Sequence, residues 1–207
     1  MSAWLPRVYP LTDVSLSGLS HSEQVAQLID GGATLVQLRE KTLSPREFYQ
    51  QAESALKLSR SCGAKIIIND RVDLALMLGA DGVHLGQDDL PPVLARQLLG
   101  PTAIIGFSTH SVDQAKRATA LPIDYLAIGP VFSTKTKSDT APEVGLDGVR
   151  QVRRIVGRLP VVAIGGITEE RIGEVLAAGA NSVAVISAVF RDPAGIKATT
   201  TRLFASS

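Results

Sequence analysis

Short β-branched and aliphatic runs alternate along the whole chain with longer segments of helical period, and seven of eight such runs break off into polar, charged or glycine-rich residues. Alternation of this kind is the pattern of parallel strands joined by crossover helices. Eight strands are expected, at Val8 to Leu11, Leu35 to Leu38, Lys65 to Ile68, Gly82 to Leu85, Ala103 to Phe107, Tyr125 to Ile128, Val161 to Ile164 and Ser182 to Ile186. Runs without in–out alternation, such as Ile66-Ile67-Ile68 and Val161-Val162-Ala163-Ile164, suit a sheet covered on both faces.

The expected helices are Ser22 to Asp30, Ser44 to Ser61, Arg71 to Leu78, Pro91 to Leu99, Ser111 to Ala120, Asp147 to Val156, Thr168 to Ala178 and Pro193 to Phe204. Ser44-Pro45 and Asp192-Pro193 place a cap before a first-turn proline, and Gly63, Gly79 and Gly179 fit helix stops before the next strand. The polar ends are Gln37 to Lys41, Asn69-Asp70, Gly86 to Asp89, Ser108 to His110, Ser133 to Lys137, Gly165-Gly166 and Ser187. Chemistry gathered at one end of many parallel strands is how a (β/α)8 TIM barrel builds an active site. An open doubly wound sheet fits less well, because no Gly-x-Gly-x-x-Gly follows the first strand and the polar ends do not gather at one switch point.

At 207 residues the chain suits one α/β barrel domain spanning positions 1 to 207, with no low-complexity linker to divide it. A net charge of +1 argues against the broad basic footprint of a nucleic-acid binder, so local basic clusters are read as sites. No apolar run approaches a membrane span and the N-terminal segment lacks the apolar core of a signal peptide, so a cytoplasmic location is expected. The lone Cys62 has no intrachain partner. A homo-oligomer is allowed but not specified.

Gln37, Arg39 and Lys41 occupy alternating positions at the end of the second strand and therefore project to one side in extended backbone. An arginine fork and a lysine point charge suit a diphosphate; a strand end ion-paired with Glu40 is the plainer alternative. Asp70 and Asp89 follow neighbouring strands and are suited to share a Mg2+ ion with substrate phosphates, or simply to cap the helices that follow. Thr134 to Lys137 lie in the long stretch from Gly129 to Leu146, which reads as a binding loop or lid or as a solvated loop. Gly165-Gly166 and Ile186-Ser187, at the seventh and eighth strands, suit backbone binding of a phosphate, with a steric need for small residues as the alternative. His84 reads as a structural barrel residue, His110 as one able to reach the cavity, and the few aromatics as packing.

Taken in order, Gln37-Leu-Arg-Glu-Lys41, Asn69-Asp-Arg-Val-Asp73, Asp81-Gly-Val-His-Leu-Gly-Gln-Asp-Asp-Leu-Pro91, Gly106-Phe-Ser-Thr-His-Ser111, Gly129-Pro-Val-Phe-Ser-Thr-Lys-Thr-Lys137, Ile164-Gly-Gly-Ile167 and Val185-Ile-Ser-Ala188 closely resemble the thiamine-phosphate synthase family. The resemblance implies a Mg2+-dependent transfer of an aminomethylpyrimidine group from its methyl diphosphate to the ring nitrogen of a thiazole phosphate, with one Mg2+ per site and phosphorylated small molecules as partners. It implies that Gln37, Leu38, Arg39, Glu40, Lys41, Asn69, Ser108 and Lys137 contact the pyrimidine diphosphate, that Asp70 and Asp89 hold the metal, and that Thr134, Lys135, Thr136, Gly166, Ile186 and Ser187 contact the thiazole phosphate. Arg39, Lys41, Lys137 and Ser108 are the residues it places in catalysis, around a leaving pyrophosphate that needs positive charge and no general base. Closure of the Gly129 to Leu146 loop would keep water from the cationic pyrimidine. A thiazole tautomerase paralogue, with His110 as acid–base group, and a non-catalytic phosphate-ligand barrel are the alternatives; the intact Lys41, Asp70 and Asp89 favour the synthase.

Overall fold

A computed structural model describes residues 4–134 and 141–205. Eight strands, all parallel, follow the spatial order β1-β8-β7-β6-β5-β4-β3-β2, with β1 at Val8–Pro10, β2 at Leu35–Leu38, β3 at Lys65–Asn69, β4 at Gly82–Leu85, β5 at Ile104–Thr109, β6 at Tyr125–Ile128, β7 at Val161–Ile164 and β8 at Ser182–Val185. Between β1 and β2 the ring closes through a parallel bridge from Leu11 to Gln37 and a 2.9 Å hydrogen bond from the Thr12 N–H to the Gln37 carbonyl. The result is a (β/α)8 barrel.

The helices are α1 Val14–Ser17, α2 His21–Asp30, α3 Pro45–Ser61, α4 Val72–Leu78, α5 Pro92–Leu99, α6 Val112–Ala118, α7 Gly145–Val156, α8 Ile172–Ala177, α9 Ser187–Phe190 and α10 Ile196–Ala205. Local signals set their limits. Ser20 with Glu23 and Ser44 with Glu47 form reciprocal capping boxes at α2 and α3, and Pro45 occupies the first turn of α3, where no N–H is needed. Phe48, Ala52, Ala55, Leu56 and Ser59 form the buried stripe of α3, a helical period that seals one face of the sheet. Inside, Ile66, Ile67 and Ile68 are fully buried, as expected for strands covered by the barrel interior on one side and helices on the other.

The expected boundaries shift at several ends. Strand β5 runs two residues further, to Thr109, which carries Ser108 on regular backbone. The segments Thr168 to Ala178 and Pro193 to Phe204 each begin as a 3-10 turn, at Glu169–Arg171 and Pro193–Gly195, before α8 and α10. Helices α1 and α9 were not expected at all; each has four residues, too short to show a helical period. Both lie at the mouth, directly after β1 and β8.

Candidate active site

The C-terminal ends of the strands surround a cavity of about 610 Å³. It brings together Gln37, Arg39, Lys41, Asn69, Asp70, Asp89, Ser108, Thr134, Gly166, Ile186 and Ser187, with His84 and His110 in the same wall. Lys135, Thr136 and Lys137 lie outside the described residues. Leu38 and Glu40, expected in the diphosphate set, are not among the lining residues: the alternation that turns Gln37 and Arg39 inward turns these two the other way. Leu38 is fully buried in the core, and Glu40 accepts from the backbone N–H groups of Lys41 (2.7 Å), Thr42 (2.5 Å) and Leu43 (2.9 Å). Glu40 thus folds the turn that presents Lys41.

Arg39 is held rather than free. Its Nη1 donates to Asp13 Oδ2 at 2.8 Å, both side chains being about nine-tenths buried, and its backbone N–H donates to Thr12 Oγ1 at 3.2 Å. Its Nε is buried without a partner among the described residues, as is the Oε1 of Gln37. Two buried polar atoms left open beside a cavity are atoms that a ligand can satisfy. Behind them, His21 Nε2 meets Glu40 Oε2 at 3.0 Å and His21 Nδ1 meets Thr12 Oγ1 at 2.7 Å. Burial lowers the affinity of His21 for a second proton, against the opposing pull of Glu40 and Asp13. With Glu40 ionised, the neutral ring donates from Nε2, so Thr12 gives its hydroxyl hydrogen to Nδ1 and keeps its oxygen for the Arg39 N–H.

Asp70 sits at φ 64, an uncommon left-handed conformation for a side-chain-bearing residue. Its N–H donates to the His84 carbonyl at 2.8 Å, and its Oδ2 accepts from Lys41 Nζ at 2.5 Å. Neither Asp70 nor Asp89 caps a helix: α4 and α5 begin after Arg71 and Pro91 without a side-chain cap. Asp89 Oδ2 instead accepts from the Gly86 N–H at 2.6 Å. Burial pushes the Asp89 carboxyl above its ordinary range; the Gly86 N–H pulls it down, the Asp70 carboxylate raises it further, and Lys41 opposes. Two neighbouring carboxylates that resist joint ionisation form a site that positive charge stabilises.

On the opposite side, glycine does the positioning. Gly165 and Gly166 have φ 101 and 65, and a Cβ on Gly166 would lie 2.4 Å from the Ser133 carbonyl oxygen and 2.7 Å from that of Phe132. The steric reading of this pair therefore holds: the β7 end receives the 130–133 backbone, fastened by N–H donation from Val131 to Ile164 O (2.9 Å) and from Phe132 to Gly165 O (3.0 Å). Ser187 opens α9, whose leading N–H groups have no intrahelical acceptor. His110 is anchored by a 2.7 Å contact of Nδ1 with the Gly129 carbonyl.

Two residues read as packing prove to be polar members of the floor. Tyr9 and Tyr125 are almost fully buried, line the cavity and meet hydroxyl to hydroxyl at 3.3 Å. Burial raises both phenol pKa values well above the ordinary range, so both remain O–H groups. Gly106 makes room for them, since a Cβ there would lie 2.1 Å from Tyr125 Cζ. Asp13 and Thr12 were missed as well. The first strand looked chemically silent because Pro10 and Leu11 intervene before this polar pair.

The family model described as thiamine monophosphate synthase matches residues 8–189. Thiamine-phosphate synthase of Chloroflexus aurantiacus is 47% identical over 184 residues, 88% of this chain and 84% of that protein. The enzyme of the same description from Albidiferax ferrireducens shows the same 47% identity and coverage. Among solved structures, thiamine phosphate pyrophosphorylase from Pyrococcus furiosus superposes with a TM-score of 0.85 at 38% identity, over 95% of this chain and 93% of that one.

Proposed function

The chain belongs to the thiamine monophosphate synthase family, and from that premise we propose how its cavity carries out the synthase reaction and with which residues. The substrates are 4-amino-2-methyl-5-(diphosphooxymethyl)pyrimidine and 4-methyl-5-(2-phosphoethyl)thiazole or its carboxylated form; the products are thiamine phosphate and pyrophosphate, with CO2 released as well when the carboxylated thiazole reacts. The single observation that carries the reading is the convergence of Arg39, Lys41, Asp70 and Asp89 on one cavity wall.

The donor set fits one Mg2+. Asp70 and Asp89 offer hard oxygen ligands, and the resistance of Asp89 to ionisation beside Asp70 is the strain that a cation relieves. No group of three or more His, Cys, Asp or Glu side chains suited to a metal occurs among the described residues, which accords with an ion that takes the rest of its shell from diphosphate oxygens and water. Bound there, Mg2+ would neutralise charge on the departing pyrophosphate.

The side chains do the rest. Arg39, held by Asp13, offers its guanidinium charge to the diphosphate from the cavity wall, and Lys41 exchanges Asp70 for phosphate oxygens. Lys137, outside the described residues, is assigned the third positive charge. Negative charge collects on pyrophosphate as the methylene C–O bond breaks, while the pyrimidine amino group delocalises the positive charge left behind, so electrostatic stabilisation alone drives a dissociative substitution. Gln37, Asn69 and Ser108 orient the pyrimidine; Thr134, Gly166, Ile186 and Ser187, with Lys135 and Thr136, hold the thiazole phosphate. The thiazole nitrogen attacks with its own lone pair, and no residue needs to accept a proton.

The test is direct. Purified protein mixed with both substrates and Mg2+ is expected to form thiamine phosphate, with formation lost when any of the three is omitted. Product in the absence of one substrate, or none under any metal condition, would overturn the assignment.

A further inference from the structure

A line of hydrogen bonds crosses the barrel floor from Gln37 to Ser108. Gln37 Nε2 donates to Tyr9 Oη at 3.1 Å; Tyr9 and Tyr125 hydroxyls meet at 3.3 Å; Tyr125 Oη meets His84 Nδ1 at 2.8 Å; and His84 Nε2 meets Ser108 Oγ at 2.8 Å. His84 and Tyr125 stack with ring centroids 5.4 Å apart, so the imidazole is fixed in orientation as well as bonded. Gly106 is required beneath them: a Cβ there would lie 2.5 Å from His84 Nδ1.

Each buried phenol has one hydrogen to give, so the line runs in one direction throughout, and the orientation of the Gln37 amide selects which. The Gln37 Nε2 group is a donor only, so the Tyr9 oxygen accepts and the Tyr9 hydrogen passes to Tyr125. Tyr125 then gives its hydrogen to His84 Nδ1. A neutral imidazole that accepts at Nδ1 carries its hydrogen at Nε2, and that hydrogen goes to Ser108 Oγ. The hydrogen of Ser108 is then left without an acceptor among the described residues, in a residue that lines the cavity.

We propose that Tyr9, Tyr125 and His84 are positioning residues that make Ser108 an obligate hydrogen-bond donor, so that the site selects a pyrimidine presenting a bare ring nitrogen to Ser108 and discriminates against an oxo analogue carrying N–H there. This rests on the assignment of Ser108 to the pyrimidine. The opposite polarity is self-consistent too: with the Gln37 amide turned to accept, every donor reverses, His84 carries its hydrogen on Nδ1, and Ser108 becomes an acceptor. The two polarities therefore differ at one observable nitrogen.

The deciding measurement is the tautomer of His84 in the wild-type protein, read from the 15N shifts and couplings of its ring; with only three histidines in the chain, assignment by His84→Asn is practical. Hydrogen on Nε2 is expected, and hydrogen on Nδ1 overturns the proposal. Kinetics provides the second arm. Tyr125→Phe keeps the ring and removes the hydroxyl, and is expected to raise KM for the pyrimidine diphosphate about tenfold, the size of one lost hydrogen bond, with KM for thiazole phosphate unchanged. In a Ser108→Ala background the same change is expected to add nothing. An equal effect of Tyr125→Phe with and without Ser108 would make Tyr125 a packing residue only and sink the relay. A Ser108→Ala variant with unaltered KM for the pyrimidine diphosphate sinks the Ser108 contact itself, whichever tautomer His84 shows.

Discussion

The two sides of the barrel mouth are built differently, and in the function proposed above each receives its phosphate in its own way. Along β2, β3 and β4, charge sits on side chains that already have partners: Arg39 on Asp13, Lys41 on Asp70, Asp89 on the Gly86 N–H. Along β7 and β8 there is little charge, and the wall is made of glycine, a buried isoleucine and a serine that opens a helix. In the proposed reaction the first side would work by exchanging partners, since Lys41 is paired with Asp70 and would leave it to meet an incoming anion. The second works by shape, since Gly165 and Gly166 are packed against the 130–133 backbone before any ligand arrives. Bond cleavage needs the first kind of wall, because charge changes there during reaction, whereas a phosphate that serves only as a handle needs the second.

The sharpest way to break this division is Asp70→Asn. It removes one carboxylate of the pair and the partner of Lys41, and turnover is expected to fall about 10³-fold, on the scale of losing a preorganised electrostatic group. Affinity for thiazole phosphate, measured by calorimetry without the second substrate, should stay within about twofold, well under the 1.4 kcal/mol that a tenfold change represents. A parallel loss of that affinity would show that the two walls are not separate.

Arg39→Lys is expected to come next, with kcat/KM for the pyrimidine diphosphate lowered about 10²-fold, because a point charge cannot span both Asp13 and a phosphate as the planar fork does. Lysine at full activity would mean that charge alone matters on this wall. On the shape-built wall, Gly166→Ala places a Cβ against the Ser133 and Phe132 carbonyl oxygens at a φ of 65. A stability loss of about 1–3 kcal/mol in urea unfolding is expected from the strained backbone, with KM raised for thiazole phosphate and not for the diphosphate. A rise confined to the diphosphate would place Gly166 with the wrong ligand.

The division also explains what could be read from sequence. Eight strands, their order of chemistry and the convergence of Arg39, Lys41, Asp70 and Asp89 on one cavity were legible because charged residues at strand ends are conspicuous and the period of two sets their side. The same alternation turns the side chains of Leu38 and Glu40, which entered only through the resemblance, away from the cavity. The supports behind the charged residues were not legible. Asp13, Thr12 and His21 act across distances of up to 27 positions, and nothing local marks Tyr9 and Tyr125, 116 positions apart, as one polar floor. Gly165-Gly166 was legible as small residues at the cavity but not as the seat of the 130–133 backbone, a contact that exists only once β6 and β7 are neighbours.

The smallest expected effect tests whether the charge-built wall is braced from behind by Glu40. Burial alone would raise this carboxyl, but the N–H groups of Leu43 and Thr42, the Thr42 hydroxyl and His21 outweigh it and bring its pKa down to about 2, from an ordinary 4.5. A carboxyl with a lower pKa in the folded state adds stability that is complete above pH 4.5 and is lost as pH falls from 4.5 toward 2. His21, whose protonation is disfavoured by burial, loses stability in the same direction but from a higher starting point, below its ordinary 6.5. Glu40→Gln is therefore expected to cost about 1–2 kcal/mol at neutral pH, the scale of hydrogen bonds to a charged acceptor, and to flatten the acid side of the stability profile below pH 4.5. Because Glu40 orders the turn bearing Lys41 without lining the cavity, KM for the pyrimidine diphosphate should rise less than in Arg39→Lys. Urea midpoints that keep the wild-type slope between pH 4.5 and pH 2 would remove Glu40 from the brace and leave the wall to the Arg39–Asp13 and Lys41–Asp70 ion pairs.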